Sequence, residues 1–172
     1  MDINGQVYNK ALFHDKIPKK SYPIIKVENV AERDLPELNF IDDIDLPSDY
    51  TKPVKSIFTT LSYNIFSNFI YEDNKYVHYR DSLKDIDETN SKSITVSNII
   101  IQFNTYNNIN PSKSEGSGKG LLFCGGKVMN IKWDKEKKAP IKLIDELGNP
   151  VYLLRGHTWW LLLKDATSLA YD

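Results

Sequence analysis

The chain has 172 residues, 41% of them hydrophobic and 26% charged, and its formal net charge at pH 7 is −1. This length and composition are typical of one ordinary globular domain, with or without a small appendage. Because the charges balance, the chain lacks the excess of positive charge that favours nucleic-acid binding. The single cysteine, Cys124, excludes an internal disulfide and a cysteine-rich zinc site, and no apolar run approaches the roughly 18 residues of a membrane span.

The first 50 residues contain more helix and strand breakers than the rest of the chain. Prolines recur throughout this stretch, at Pro18, Pro23, Pro36 and Pro47. Two acidic clusters, Glu32–Asp34 and Asp42–Asp45, accompany them. We therefore predict an extended N-terminal arm over residues 1–50, with one helical turn around Val30–Leu35, and a β-rich domain over residues 51–172.

The first strong strand signal is an aromatic hairpin. Residues 57–63 and 64–71 are β candidates, and Asp73-Asn74 fits a two-residue turn because both residues tolerate positive φ. This register places Glu72 opposite Lys75 and Tyr71 opposite Tyr76, so that opposite charges and like aromatic rings meet across the strands.

The next strand, Ser93–Phe103, alternates between polar and apolar residues but changes phase. Ile94 and Val96 point to one face, whereas Ile99 and Ile101 point to the other. A bulge near Asn98, or burial of both faces, would explain the change.

The clearest hairpin is Gly120–Trp133. Gly125-Gly126 makes a tight turn that pairs Phe123 with Val128. The same register sets Trp133 opposite Gly118, where an indole ring covers a residue without a side chain.

The last strand follows a Gly-Asn-Pro turn and covers Gly156–Leu163. His157 and Trp159 share one face and Thr158 and Trp160 share the other. A strand that is apolar on both faces is usually central in its sheet. Together these elements predict an α+β fold that is predominantly antiparallel β sheet with a few short helices.

The sequence contains no catalytic or metal-binding motif. Gly116–Gly120 resembles a phosphate-binding loop in composition, but Ser114 and Gly120 stand where such a loop needs a glycine and a hydroxyl residue. The acidic run at Asp85 lacks the glycine and the final glutamate of a calcium loop. A Ser/His/Asp triad can be drawn from the composition of almost any chain, and no G-x-S-x-G elbow singles one out. We therefore assign no catalytic residue, no metal and no cofactor.

Over about residues 55–165, the order of these motifs resembles the C-terminal half of the YerB-like lipoproteins. These form a family of uncharacterised proteins from Gram-positive bacteria. The matching segments are Phe69–Tyr71, Tyr79–Asp81, Val96–Gln102, Gly116–Phe123, Gly126–Val128, Trp133, Asp145–Asn149 and Gly156–Trp159. Members of that family carry an N-terminal signal with a lipid-bearing cysteine and a larger α/β portion. Neither is in this chain, so the resemblance implies a fragment or a shortened member.

The resemblance implies an extracytoplasmic protein that is anchored to the membrane by a lipid in its full-length form. Two functions stay open: a binding module of the cell envelope that contacts a protein or a wall polymer, and part of an envelope hydrolase whose active site lies mostly in an absent N-terminal half. The candidate contact residues of the binding module are Tyr76, Tyr79, Arg80, Ser117, Lys119 and His157. Cross-strand packing is the alternative role of the tyrosines.

Overall fold

The fold is known from a computed structural model. It describes residues 37–44, 46, 48–62, 65–103, 116–136, 139–164 and 168–172. The described residues form sixteen strands: β1 (Asn39–Ile41), β2 (Thr51–Pro53), β3 (Ser56–Ser62), β4 (Ile65–Glu72), β5 (Lys75–Arg80), β6 (Leu83–Lys84), β7 (Ile86–Asp87), β8 (Lys92–Ser93), β9 (Thr95–Val96), β10 (Asn98–Phe103), β11 (Gly116–Cys124), β12 (Lys127–Lys135), β13 (Lys142–Ile144), β14 (Tyr152–Leu154), β15 (Thr158–Leu163) and β16 (Leu169–Tyr171).

Two larger sheets pack face to face. The first sheet has the strand order β13-β12-β11-β10-β15, with β2 also paired to β12. The second sheet has the order β16-β3-β4-β5-β6, with β9 paired to β5. The core between them is built from the inward side chains of both sheets, among them Phe69, Tyr76, Ile99 and Phe123. Alternation along each strand therefore decides which residues enter this core.

A third layer covers the other face of the first sheet. β1 pairs in parallel with β14, and this short ribbon helps to bury a second apolar cluster that includes Leu122, Ile131 and Leu153. The first sheet is consequently buried on both faces. Neither apolar cluster includes side chains from the outer face of the second sheet, within the part of the chain that the structure describes.

The predicted hairpins are confirmed in register. Tyr71 lies opposite Tyr76 around the Asp73-Asn74 turn, whose two residues have φ of 50° and 63°. Phe123 lies opposite Val128, and Trp133 lies opposite Gly118. Positive φ at these turns matches the twist of the strands they join, which is why the sequence signal was sufficient.

The phase change at Asn98 has a tertiary cause. β9 belongs to the second sheet and β10 to the first, so the chain passes from one sheet to the other at Ser97. All residues from Asn98 to Gln102 are buried, which confirms the predicted burial on both faces. The Asn98 amide fixes the crossing, because it donates to the Leu154 carbonyl (2.8 Å) and accepts from the Leu154 amide (2.9 Å).

The predicted α+β class is not confirmed. The described residues are almost entirely strand and turn, with a short 3₁₀ turn at Ser48–Tyr50. Two of the pairings, β1 with β14 and β10 with β15, are parallel, and the others between named strands are antiparallel among the described residues. The helical turn predicted at residues 30–35 lies outside the described residues.

The packing also bears on the predicted N-terminal arm and on the predicted central strand. Part of the predicted arm is integrated into the fold, because β1 pairs with β14 and Leu46 is buried in the second cluster. The predicted central strand, β15, lies at one end of its sheet and pairs with β10 alone among the described strands. It is apolar on both faces because both faces of the first sheet are covered, not because strands flank it.

Candidate functional site

A row of four side chains crosses the outer face of the second sheet. Phe58 lies opposite Asn68, Asn68 opposite Tyr79, and Tyr79 opposite Lys84. Residues that pair directly across antiparallel strands present their side chains on the same face. The row therefore runs perpendicular to β3, β4, β5 and β6.

An open groove lies at the Phe58 end of this row. Its walls are Phe58, Phe66, Asn68, Asp81 and Ser82, and it encloses about 360 Å³. The Phe58 and Phe66 rings stack with centroids 5.6 Å apart, and Phe58 is 41% exposed. Two aromatic rings thus form one apolar wall of the groove.

The Asn68 amide is not fully used by the protein. Its Oδ1 is buried and has no hydrogen-bond partner among the residues that the structure describes. A buried polar group without a partner costs roughly 1–3 kcal/mol. Asn68 as a residue lines the groove, although this oxygen itself is buried.

Asp81 and Ser82 form the polar wall from a strained turn. Their φ angles are 48° and 71°, in the left-handed region that glycine and asparagine tolerate better than serine. The Asp81 carboxylate accepts a hydrogen bond from the Phe66 amide at 3.1 Å, which ties the turn to β4. The two residues make the two-residue turn between β5 and β6, where positive φ matches the twist of the strands as it does at Asp73-Asn74.

A second cluster of chemically active groups lies on the inner face of the same strands. The Ser67 hydroxyl is 2.7 Å from His78 Nε2, and His78 Nδ1 is 2.8 Å from the Asp85 carboxylate. Because an ionised carboxylate only accepts, Nδ1 carries the hydrogen and Nε2 accepts from the Ser67 hydroxyl. These are the contacts of a nucleophile, a base and an orienting acid.

The surroundings of this cluster are closed. Ser67 and His78 are each 3% exposed, and the His78 ring packs 4.5 Å from the Trp159 ring and 4.8 Å from the Phe69 ring. Burial lowers the pKa of His78, against the opposing effect of Asp85. Arg80 also donates to Asp85 at 2.9 Å and so shares the carboxylate with the histidine.

The six contact residues predicted from the sequence lie in separate places. Tyr79 lies in the row on the outer face, whereas Arg80 points inward to Asp85. Tyr76 is fully buried between the sheets, so it is not available to a partner, and we leave it out of the candidate surface as a correction. Cross-strand aromatic pairing suits a core as well as a surface, and packing is the alternative role given above for the tyrosines.

The remaining three predicted residues are exposed but apart from the row. Ser117 and Lys119 lie on β11, which belongs to the first sheet, and His157 precedes β15. The segment that resembled a phosphate-binding loop in composition is the extended start of β11.

The groove residues themselves were missed. Phe58 and Phe66 carried only a strand signal, and nothing in the sequence showed that they would meet on the outer face of the second sheet. The Asp81-Ser82 turn was the one available sign, because a short polar pair between strand candidates indicates a hairpin. Ser67, His78 and Asp85 were missed because no motif links them.

No cluster of three metal-ligating side chains occurs among the described residues. Cys124 is buried, and burial raises the pKa of its thiol to about 11, which leaves it protonated and unreactive at neutral pH. In the described part of the chain, no helix is long and apolar enough to cross a membrane.

Comparisons with known proteins identify a family rather than an activity. Residues 57–160 match the family described as "Protein of unknown function (DUF3048) C-terminal domain". The solved structure of YerB from Bacillus subtilis is similar with a TM-score of 0.59 and 20% sequence identity. The match covers 68% of this chain and 43% of that chain, so this chain spans less than half the length of the YerB structure. No curated protein matches the chain.

Proposed function

This chain belongs to the DUF3048 C-terminal domain family, which is YerB-like, and on that premise we propose that it is a binding module of the bacterial cell envelope that holds a wall polymer. In the full-length protein the module is extracytoplasmic and is held at the membrane by a lipid anchor. The observation that carries the proposal is the groove beside Phe58 on the outer face of the second sheet.

The chemistry of the groove supports binding rather than catalysis. It combines two stacked aromatic rings with an amide, a carboxylate and a hydroxyl group, which supply apolar contact and hydrogen bonds together. The described residues that line it contain no nucleophile paired with a base. An open, shallow groove also suits a long ligand that extends beyond it.

Binding to isolated cell walls tests the proposal directly. The purified chain is mixed with washed wall fragments from a Gram-positive bacterium, and the bound fraction is measured after sedimentation. We expect the parent chain to sediment with the walls and the Phe58→Ala variant to lose at least tenfold in affinity. Phe58 is 41% exposed, so its removal should cost less stability than removal of a fully buried aromatic residue and the variant should still fold.

Tyr152→Ala is the matched control. Tyr152 is 49% exposed and lies on β14, in the third layer and away from the groove. This variant should bind walls like the parent chain. Equal losses in both variants, or no sedimentation of the parent, would contradict the proposal.

A hydrolase that acts on envelope material is the second candidate, because of the Ser67–His78–Asp85 contacts. In such a reaction the Ser67 oxygen would add to the substrate's carbonyl carbon while its proton passed to His78 Nε2 and the C=O electron pair moved to the carbonyl oxygen. Return of that pair would break the bond to the leaving group, which would take the proton from His78, and water would then hydrolyse the acyl-serine ester. Covalent labelling with a fluorophosphonate probe tests it, with Ser67→Ala as the blank. We expect no labelling, because the Ser67 side chain is buried; stoichiometric labelling that is lost in Ser67→Ala would establish the hydrolase instead.

A further inference from the structure

We infer that the ligand of the outer face is an uncharged oligosaccharide strand that lies across β3, β4, β5 and β6. This inference rests on the binding function proposed above and names the chemical class of the polymer and its direction. Three properties of the surface carry it: the direction of the row, the hydrogen-bonding groups of the groove and the balance of charge.

The direction of the row favours an extended ligand. Phe58, Asn68 and Tyr79 lie on three neighbouring strands, and Lys84 lies on a fourth. At about 4.8 Å between strands, the row is about 14 Å long. A compact small molecule is normally held in a closed pocket that buries most of its surface, and this groove is open.

The groups along the row match a sugar ring. A pyranose has a C–H face that packs on an aromatic ring and an edge of hydroxyl groups that form hydrogen bonds. Phe58 supplies an exposed aromatic ring, and Asn68 lines the groove beside it. Asp81 and Ser82 line the same groove and are both exposed. Their oxygens accept hydrogen bonds from donors such as sugar hydroxyl and N-acetyl groups.

The charge of the surface argues against a polyanion. Asp81 at the groove and Lys84 at the end of the row are both exposed, and their formal charges offset each other. Lys84 Nζ lies 5.6 Å from the centre of the Tyr79 ring. Recognition of a polyphosphate chain requires a basic cluster, and a single lysine does not form one.

The direction also argues against a peptide. An extended peptide binds to a sheet by adding a strand, and its main chain then runs along the strands at an edge. The row crosses the strands on a face, where their main-chain groups are already paired with one another. A ligand in this position must be recognised through side chains alone.

Calorimetric titration with oligosaccharides of defined length tests the inference. The probes are β-1,4-linked N-acetylglucosamine oligomers of one to six units and the matching glucose oligomers, with inorganic polyphosphate as the charged probe. We expect affinity to rise at least tenfold from one unit to four and then to level off, because the row has a fixed length. Raising the salt concentration should change the affinity less than twofold, since no net charge is neutralised.

Two variants locate the binding on the row. Phe58→Ala and Tyr79→Ala should each lower the affinity for the four-unit oligomer at least fivefold, whereas Tyr152→Ala should leave it unchanged. Circular dichroism of each variant checks that the fold is retained. If Tyr79→Ala does not fold, Lys84→Ala replaces it, because Lys84 is an exposed residue at the same end of the row. This variant should also lower the affinity for the four-unit oligomer.

The outcomes separate this inference from the binding function. Phe58-dependent sedimentation with walls, combined with no binding of either neutral series, overturns the oligosaccharide inference and leaves the binding function standing. Preference for polyphosphate with steep salt dependence also overturns it. Binding that is equal for one unit and six overturns the crossing geometry. Loss of wall sedimentation itself removes the binding function and this inference together.

Discussion

At the scale of single residues, His78 makes the stability of the protein depend on pH. Burial holds its pKa below the ordinary value of 6.5. The unfolded chain therefore takes up a proton before the folded chain does, and the free energy of unfolding decreases as the pH falls below about 6.5. Urea melts between pH 7.5 and 5 should show this loss.

The His78→Gln variant is the control for that titration. Glutamine keeps polar atoms near Ser67 and Asp85 but has no proton to gain in this range. It should be less stable than the parent at pH 7.5 and show a smaller decrease toward pH 5. A parent chain whose stability rises on acidification would contradict a lowered pKa at His78.

Gly118 gives a second prediction at this scale. A Cβ atom added there would lie 2.6 Å from Nε1 of Trp133, which donates to the Phe103 carbonyl at 3.1 Å. The indole is held in place, so Gly118→Val should lower the free energy of unfolding by about 1–3 kcal/mol, as overpacking does. Lys119→Ala, at the exposed next residue, should stay within about 0.5 kcal/mol of the parent in the same urea melts.

At the scale of elements, two hairpin turns of similar geometry have different expected roles. Ser82 and Asn74 both have positive φ, 71° and 63° respectively. Replacing either residue by glycine should relieve backbone strain and raise the thermal midpoint. The gain in the free energy of unfolding should reach about 1 kcal/mol at Ser82, because serine tolerates positive φ less well than asparagine does. Ser82 lines the groove and Asn74 does not.

The two turn variants should therefore differ in binding. Ser82→Gly should weaken sedimentation with cell walls, because a hydroxyl group is lost from the groove, whereas Asn74→Gly should not. Calorimetric melts and the sedimentation assay on both variants measure the two effects separately. A Ser82→Gly variant that is more stable and binds as well as the parent would mean that the strained turn serves no ligand.

Strand β15 gives the other element-scale prediction. Trp159 packs against His78 and Phe69, and Trp160 donates from Nε1 to Gln102 at 3.0 Å, but both rings are half-buried. Alanine at either position should lower the free energy of unfolding by less than the roughly 3–5 kcal/mol of a fully buried aromatic residue. Urea melts decide this, and a cost above that range at either position would mean that β15 is covered like a central strand.

At the scale of the whole molecule, the third layer makes the described residues between 37 and 46 part of the folded unit. Phe40 and Ile44 pack on the cluster that contains Leu46, and β1 pairs with β14. A chain that starts at residue 51 should therefore melt at a lower temperature and less cooperatively than one that starts at residue 37, because apolar surface of the first sheet is uncovered. Equal melting curves would support the domain boundary predicted at residue 50.

Some of this structure was determined by short stretches of the sequence. The turns at Asp73-Asn74 and Gly125-Gly126, the registers around them and the contact of Trp133 with Gly118 were all predictable. Each depends on residues close together along the chain, where turn type, twist and side-chain size leave one arrangement. The order of these motifs was also sufficient to indicate the family.

Other features were decided only by the tertiary structure. The edge position of β15, its parallel pairing with β10 and the passage of the chain between sheets at Ser97 depend on segments far apart in sequence. The groove at Phe58 and the buried contacts of His78 arise from the same packing. Alternation along a strand shows that it has two faces, but which face is covered depends on what packs against it, and no local pattern carries that information.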